Sequence, residues 1–156
     1  MRRDRPRLPT GSSGSPRICW DPGLIPTAVE ELLRRTPLTS VGGGAPRVAV
    51  RDTRIAATRI RAGEAVIPVN ACANRDPSVF AGAETLDLAR RPNPHLAFGF
   101  GVHHCSGAAF ARLQLQVALR VLTRNCPQLR LAATLEALRC RRDFAFRALE
   151  SLPVTW

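Results

Sequence analysis

The chain has 156 residues, which is enough for one compact domain or for part of a larger one. Hydrophobic residues make up 45% and charged residues 22%, a balance typical of a globular protein and not of a disordered one. No apolar run is long enough to span a bilayer, and the N-terminus lacks the apolar stretch of a secretory signal. We therefore expect a cytoplasmic protein without a membrane partner.

The net charge of +11 raises the question of nucleic-acid binding. All basic side chains are arginines, and they are scattered along a chain that has no Tyr. Aromatic stacking platforms for bases are not interleaved with this charge. We predict no nucleic-acid partner, and a basic face that docks an acidic redox protein is a better use of the charge.

The five cysteines, at positions 19, 72, 105, 126 and 140, stand apart without a CxxC pair. Their spacing indicates neither a zinc cluster nor a secreted disulfide framework. Reduced thiols are the expectation.

Residues 1–18 are rich in Arg, Pro, Gly and Ser and lack hydrophobic periodicity, which predicts a flexible tail. The remainder, residues 19–156, is expected to form one region. A helix is predicted to begin at Asp21-Pro22 and to end before Pro37. Its apolar stripe has helical spacing and consists of Ala28, Val29, Leu32 and Leu33.

Two short strands and a long irregular connection are predicted next. Residues 47–51 alternate between polar and apolar as a half-buried strand does, and residues 61–64 have the composition of a turn. A second strand is expected over residues 65–69, at an edge or bulge because it contains Pro68. Residues 74–94 carry repeated Pro, Asn, Asp and Gly, which predicts a long loop of the kind that is often functional.

Residues 95–107 run into a predicted helix that ends at Pro127 and has a stripe of Ala and Leu. Cys105 is expected at the N-terminus of this helix, where unpaired N–H groups favour a negatively charged sulfur and hence a soft metal. Gly99, Gly101 and Gly107 are expected to adopt unusual backbone angles and to let a flat ligand approach closely.

This segment resembles the cysteine-ligand loop of cytochrome P-450 enzymes, whose pattern is FGxGxHxCxG followed by an Ala-Arg pair. Eight positions match the pattern: Phe98, Gly99, Gly101, His103, Cys105, Gly107, Ala111 and Arg112. The resemblance implies a haem b cofactor (iron protoporphyrin IX) with Cys105 as its axial metal ligand. Ser106 departs from the apolar residue, usually Leu, that commonly follows the cysteine.

Other elements of the family also have counterparts. Glu31 and Arg34 are similar to its ExxR element, and the resemblance implies that Arg90 joins them in a buried structural network. It further implies that Arg47 and His103 contact the haem propionates.

The segments at 129–131 and 147–156 are similar to the closing sheet of bacterial, especially actinobacterial, members. The fold implied is mainly α with small β elements (α+β): the C-terminal haem-binding part of the cytochrome P-450 fold, truncated to about the last third. The distal oxygen-activating residues of the family have no counterpart, so no catalytic residue is identified.

The reaction implied by the family is oxygen insertion into a small organic substrate, with electrons from a ferredoxin or a flavin reductase. Two alternatives stay open. The chain could be a truncated, inactive remnant or interaction module that does not bind haem, or His103, His104 and Cys105 could bind zinc. A dinucleotide fold is excluded, because Gly99 and Gly101 lack the third glycine and the following acidic residue of its fingerprint.

Overall fold

A computed structural model describes residues 21–36, 38, 45–141 and 146–156. The α-helices are α1 (Ile25–Arg35), α2 (Asn70–Ala73) and α3 (Ala108–Asn125). Short 3-10 turns cover Pro22–Leu24, Gly101–His103 and Leu135–Ala137. The strands are β1 (Arg47–Val48), β2 (Thr53–Ile55), β3 (Thr58–Ile60), β4 (Ala65–Val66), β5 (Arg130–Leu131) and β6 (Val154–Thr155). The predicted class, mainly α with small β elements, is confirmed.

Helix α1 ends at Arg35, before Pro37, as its sequence predicts, but it begins at Ile25 and not at Asp21-Pro22, because a 3-10 turn over Pro22–Leu24 precedes it. The Oδ1 atom of Asp21 accepts a hydrogen bond from the Gly23 N–H at 3.0 Å, and Pro26 lies in the first turn, where its missing N–H costs nothing. The Thr36 N–H, bonded to the Leu32 carbonyl at 2.9 Å, closes the last turn. The buried face of the helix forms the core with one leucine of the irregular segment, residues 74–94. The core residues are Ile25, Ala28, Val29, Leu33 and Leu88.

Helix α3 crosses α1 and has two apolar faces. Ala108 is buried, and Leu119 packs against the α1 core. On the opposite side, apolar residues recur every three or four positions and are about half exposed or more: Phe110, Leu113, Val117 and Val121.

Within the described residues the named strands form three antiparallel pairs: β1 with β4, β2 with β3, and β5 with β6. The predictions of strands over residues 47–51 and 65–69 were too long. Only Arg47 and Val48 pair, opposite Val66 and Ala65, and Val50 beyond them is 94% exposed. The predicted turn at 61–64 and the closing sheet, with Arg130 opposite Thr155, are confirmed.

The β2–β3 hairpin was missed by sequence analysis. Its turn contains Ala56 with a φ of 50°, a left-handed conformation that Asn or Gly usually signals. Residues 56 and 57 are both alanine, so the usual sequence signal of the turn is missing.

The predicted irregular segment, residues 74–94, is confirmed, and it buries Phe80, Ala83 and Leu88. In the part of the chain that the structure describes, no helix is long and apolar enough to cross a membrane. The predicted tail at 1–18 and Cys19 lie outside the described residues.

Candidate functional site

A buried carboxylate on α1 holds the irregular segment. Glu31 and Arg34 are fully buried and joined by two hydrogen bonds of 2.8 Å, from Arg34 Nε and Nη2. Arg90 Nε and Asn93 Nδ2 each donate to Glu31 Oε2 at 3.1 Å. The Asp87 N–H donates to Oε1 at 3.1 Å, so both oxygens of the carboxylate accept more than one hydrogen bond. We name Glu31, Arg34, Arg90 and Asn93 the Glu31 cluster.

The cluster contains two arginines for one carboxylate, and main-chain carbonyls accept further N–H groups of both arginines. Arg34 donates to the Asn74 carbonyl at 2.6 Å, and its guanidinium lies 5.0 Å from the centroid of the Phe80 ring. Arg90 donates to the carbonyls of Ala81 at 2.8 Å and Gly82 at 3.2 Å. The arginines thus fix the path of a segment that has no regular secondary structure.

Burial alone raises the pKa of Glu31, but the hydrogen bonds from Arg34, the Asp87 N–H and Arg90 outweigh it. The net pKa lies below its ordinary value of 4.5, so Glu31 is ionised at neutral pH. A charged, hydrogen-bonded carboxylate is therefore the form around which the segment folds.

Cys105 lies in a tight loop that precedes α3. We call residues 98–107 the Cys105 loop. Its N–H donates to the Phe98 carbonyl at 2.9 Å, and its carbonyl accepts from the Ala108 N–H at 3.2 Å. Gly99 and Gly101 have φ angles of 75° and 71°, a backbone region in which other residues are strained. The loop reverses the chain at these glycines and leaves Cys105 exposed.

Two details differ from the sequence expectations. Helix α3 begins at Ala108 with Gly107 as its N-cap, so Cys105 precedes the first turn instead of lying in it. The influence of the helix dipole falls off within one turn and is weaker at this position. Gly107 has an ordinary φ of −83°, and a Cβ there would lie 3.9 Å from Cys105 Sγ, an ordinary contact distance.

Two large apolar side chains are exposed on the Cys105 loop. Phe100 is 85% exposed and Val102 is 97% exposed, unusually high fractions for large apolar side chains. His103 is exposed on the same loop, and Arg47 is exposed on β1. Among the residues that the structure describes, no hydrogen bond or ion pair joins Arg47 to the Cys105 loop.

A second carboxylate on α1 is linked to the Cys105 loop through Arg112, and sequence analysis missed it. Glu30 accepts from Arg112 Nε of α3 at 2.8 Å and from His95 Nε2 at 2.9 Å. The Arg112 guanidinium lies 4.8 Å from the centroid of the Phe98 ring. We name Glu30, His95, Arg112 and Phe98 the Glu30 cluster.

Burial raises the pKa of Glu30, and the hydrogen bonds from Arg112 and His95 more than offset this, so its net pKa is lowered. No sequence signal pairs these groups, because His95 and Arg112 are 65 and 82 residues away from Glu30.

An open cleft of about 320 Å³ lies elsewhere, between α1, the irregular segment and Gln116 of α3. Glu30 lines this cleft, whereas no residue from Phe98 to Gly107 does. Across the described residues, no three His, Cys, Asp or Glu side chains are grouped so as to hold a metal ion, His103, His104 and Cys105 included. Cys72, Cys105, Cys126 and Cys140 are free thiols.

Comparison with known proteins matches this arrangement to one family. The family model described as Cytochrome P450 matches residues 24–128. Nocardicin C N-oxygenase of Nocardia uniformis subsp. tsuyamanensis is 52% identical over 136 residues, which are 87% of this chain and 34% of that protein. Cytochrome P450-SU2 of Streptomyces griseolus is 46% identical over 140 residues, 90% of this chain and 34% of the relative.

Solved structures show the same likeness. The mixed-function P450 MycG superposes with a TM-score of 0.86 at 46% identity, covering 91% of this chain and 36% of that one. A Glu-Arg-Arg cluster around the buried Glu31 and an exposed cysteine in a glycine-containing loop accompany these matches. The chain belongs to the cytochrome P450 family. It spans about a third of the length of the curated relatives, 34% of the two named here.

Proposed function

We propose that the chain is the haem-binding part of a P450 monooxygenase, with Cys105 as the thiolate ligand of haem b. The observation that carries this proposal is the exposed cysteine in a loop fixed by the Phe98 carbonyl and two glycines with positive φ. A thiolate-ligated haem supplies oxygen activation, because the sulfur donates electron density that favours O–O cleavage.

The residues around Cys105 fit such a group. Sulfur is a soft ligand suited to iron, and the exposed side chains of Phe100 and Val102 offer an apolar surface that a porphyrin would cover. Gly99 and Gly101 present bare backbone, which permits close approach of a flat ligand. His103 and Arg47 would supply hydrogen bonds and positive charge to carboxylates on that ligand, and both are exposed.

The Glu31 cluster has a structural role in this proposal. It anchors residues 74–94, and the Asn74 Oδ1 atom accepts from the Leu96 N–H at 2.7 Å, directly before the Cys105 loop. The fixed segment therefore sets where the cysteine loop starts.

Substrate and electron donor follow from the family. We propose a small organic substrate and a ferredoxin or flavin reductase, supported by relatives named as an N-oxygenase and as a hydroxylase/epoxidase. The basic net charge of +11 suits an acidic redox protein. One solved relative, P450BioI, is in complex with an acyl carrier protein.

A second candidate, an interaction module without haem, is favoured by one observation. The outer face of α3 exposes Phe110, Leu113, Val117 and Val121 in a stripe, and such stripes mark contact surfaces. The two candidates differ in whether the Cys105 loop binds haem.

The deciding experiment is an absorption spectrum of the protein produced with ample haem, then reduced and exposed to carbon monoxide. We expect wild type to show the Soret shift of thiolate ligation and Cys105→Ser to lose it. Cys72→Ser is the matched control, because Cys72 is another exposed free thiol. Absence of haem from the wild-type protein would contradict the proposal and favour the interaction module.

A further inference from the structure

We propose that Glu30, His95 and Arg112 are positioning residues that hold Cys105 through Phe98. This inference deepens the proposed function and rests on it where it concerns the iron ligand. Hydrogen bonds run from Glu30 of α1 to His95 and to Arg112 of α3, and a cation–π contact runs from Arg112 to Phe98 of the cysteine loop. They are separate from the Glu31 cluster, although Glu30 and Glu31 are neighbours in sequence.

The first step fixes Glu30. The side chain of His95 is 2% exposed, and its Nδ1 accepts from the Ala97 N–H at 3.2 Å. With Nδ1 as an acceptor, the ring proton is on Nε2 and is donated to Glu30 Oε2 at 2.9 Å. His95 thereby orients the carboxylate toward α3.

The second step fixes Arg112. Its Nε–H is shared between the two Glu30 oxygens, at 2.8 and 3.0 Å. This orientation places the guanidinium at 4.8 Å from the centroid of the Phe98 ring, a favourable cation–π distance. A planar guanidinium held by a carboxylate stacks on the ring in a way that an ammonium group cannot.

The third step reaches the cysteine. Phe98 supplies the carbonyl that accepts the Cys105 N–H at 2.9 Å, and Gly99, next in the chain, has a positive φ. A change in the position of Phe98 therefore moves the acceptor that fixes Cys105. Arg112, which touches neither Cys105 nor its hydrogen bond, acts on the sulfur through Phe98.

The test compares Arg112→Leu, Arg112→Lys and Glu30→Gln with wild type in the full chain. The first readout is hydrogen exchange of the Cys105 amide, which needs no haem. The second is the share of thiolate-ligated haem in the carbon monoxide spectrum. Arg35→Leu is the control, because it removes another arginine–glutamate pair of α1, between the partly buried Arg35 and the exposed Glu84 at 2.8 Å, that is made away from Phe98.

We expect the Cys105 amide to exchange about threefold to thirtyfold faster in the Arg112 and Glu30 variants, which corresponds to the range of a cation–π contact. Arg112→Lys should not restore the wild-type exchange rate of the Cys105 amide. Arg35→Leu should not accelerate exchange at the Cys105 amide more than in the helices. In a Phe98→Leu background, Arg112→Leu should add nothing further at Cys105.

Equal acceleration of exchange in α1, α3 and at Cys105 would mean general destabilisation and would overturn the proposal. So would unchanged exchange at Cys105, or full rescue by lysine. If wild type lacks thiolate-ligated haem, the proposed function fails, whereas the exchange data still decide whether Arg112 positions the loop. If wild type has the thiolate spectrum and the variants match wild type in both readouts, the positioning proposal fails while the proposed function stands.

Discussion

Glu30 and Glu31 are adjacent on one helix, yet they hold different parts of the molecule in different surroundings. Glu31 is fully buried and fixes the irregular segment, whereas the Glu30 side chain is 28% exposed and contacts the cysteine loop through Arg112. Burial makes the loss of a partner costly at Glu31, while solvent screens the Glu30 contacts. We therefore expect the loss of a partner to cost more stability at Glu31 than at Glu30.

The largest effect should come from Glu31→Gln. The substitution keeps the shape but removes the negative charge that faces Arg34 and Arg90, so a buried guanidinium loses its counter-charge. We expect a loss of about 3–5 kcal/mol in the free energy of unfolding. Chemical denaturation measures it, with Glu84→Gln as control, because Glu84 forms a similar arginine pair but its side chain is 73% exposed. A loss no larger than that of the control would remove the distinction between the two regions.

Leu88→Ala tests how far apolar packing contributes to holding the irregular segment. Leu88 is 2% exposed and is the residue of that segment in the α1 core, so its truncation leaves a cavity. We expect a cost of about 2–5 kcal/mol in thermal or chemical unfolding. Leu86→Ala, at a position 38% exposed in the same segment, should cost under about 1 kcal/mol. If Leu88→Ala cost as little stability as Leu86→Ala, apolar packing would not contribute and the charged contacts alone would fix the segment.

Glu30→Gln should have the smallest effect and a pH dependence. The pKa of Glu30 is lowered in the folded state, so its contribution is present above the ordinary value of 4.5 and is lost as pH falls below it. We expect Glu30→Gln to be less stable than wild type by about 1 kcal/mol at neutral pH, with the difference shrinking in acid. Unfolding measured across pH tests this, and a difference independent of pH would show that the charge of Glu30 is not involved.

The sequence predicted what depends on local pattern. Helical spacing predicted α1 and α3, and the family pattern singled out Cys105 as the candidate ligand; Glu31, Arg34 and Arg90 lie in contact in the structure. The β2–β3 hairpin was missed because Ala56 adopts its turn conformation without the usual residue type. The Glu30 cluster was missed because its contacts depend on how α1 crosses α3, which no local periodicity specifies.

The way the arginines bind the irregular segment has a consequence for how freely that segment can change. Their acceptors there include the carbonyl oxygens of Asn74, Ala81 and Gly82, and every residue type carries a carbonyl oxygen. Exposed Ala81 could be exchanged for many residues without removing an acceptor. Two positions are exceptions. Gly82 has a φ of 59°, a backbone turn that other side chains disfavour, and the side chain of buried Asn74 accepts the Leu96 N–H. An engineer could therefore change an exposed position such as Ala81 while keeping the path of the segment.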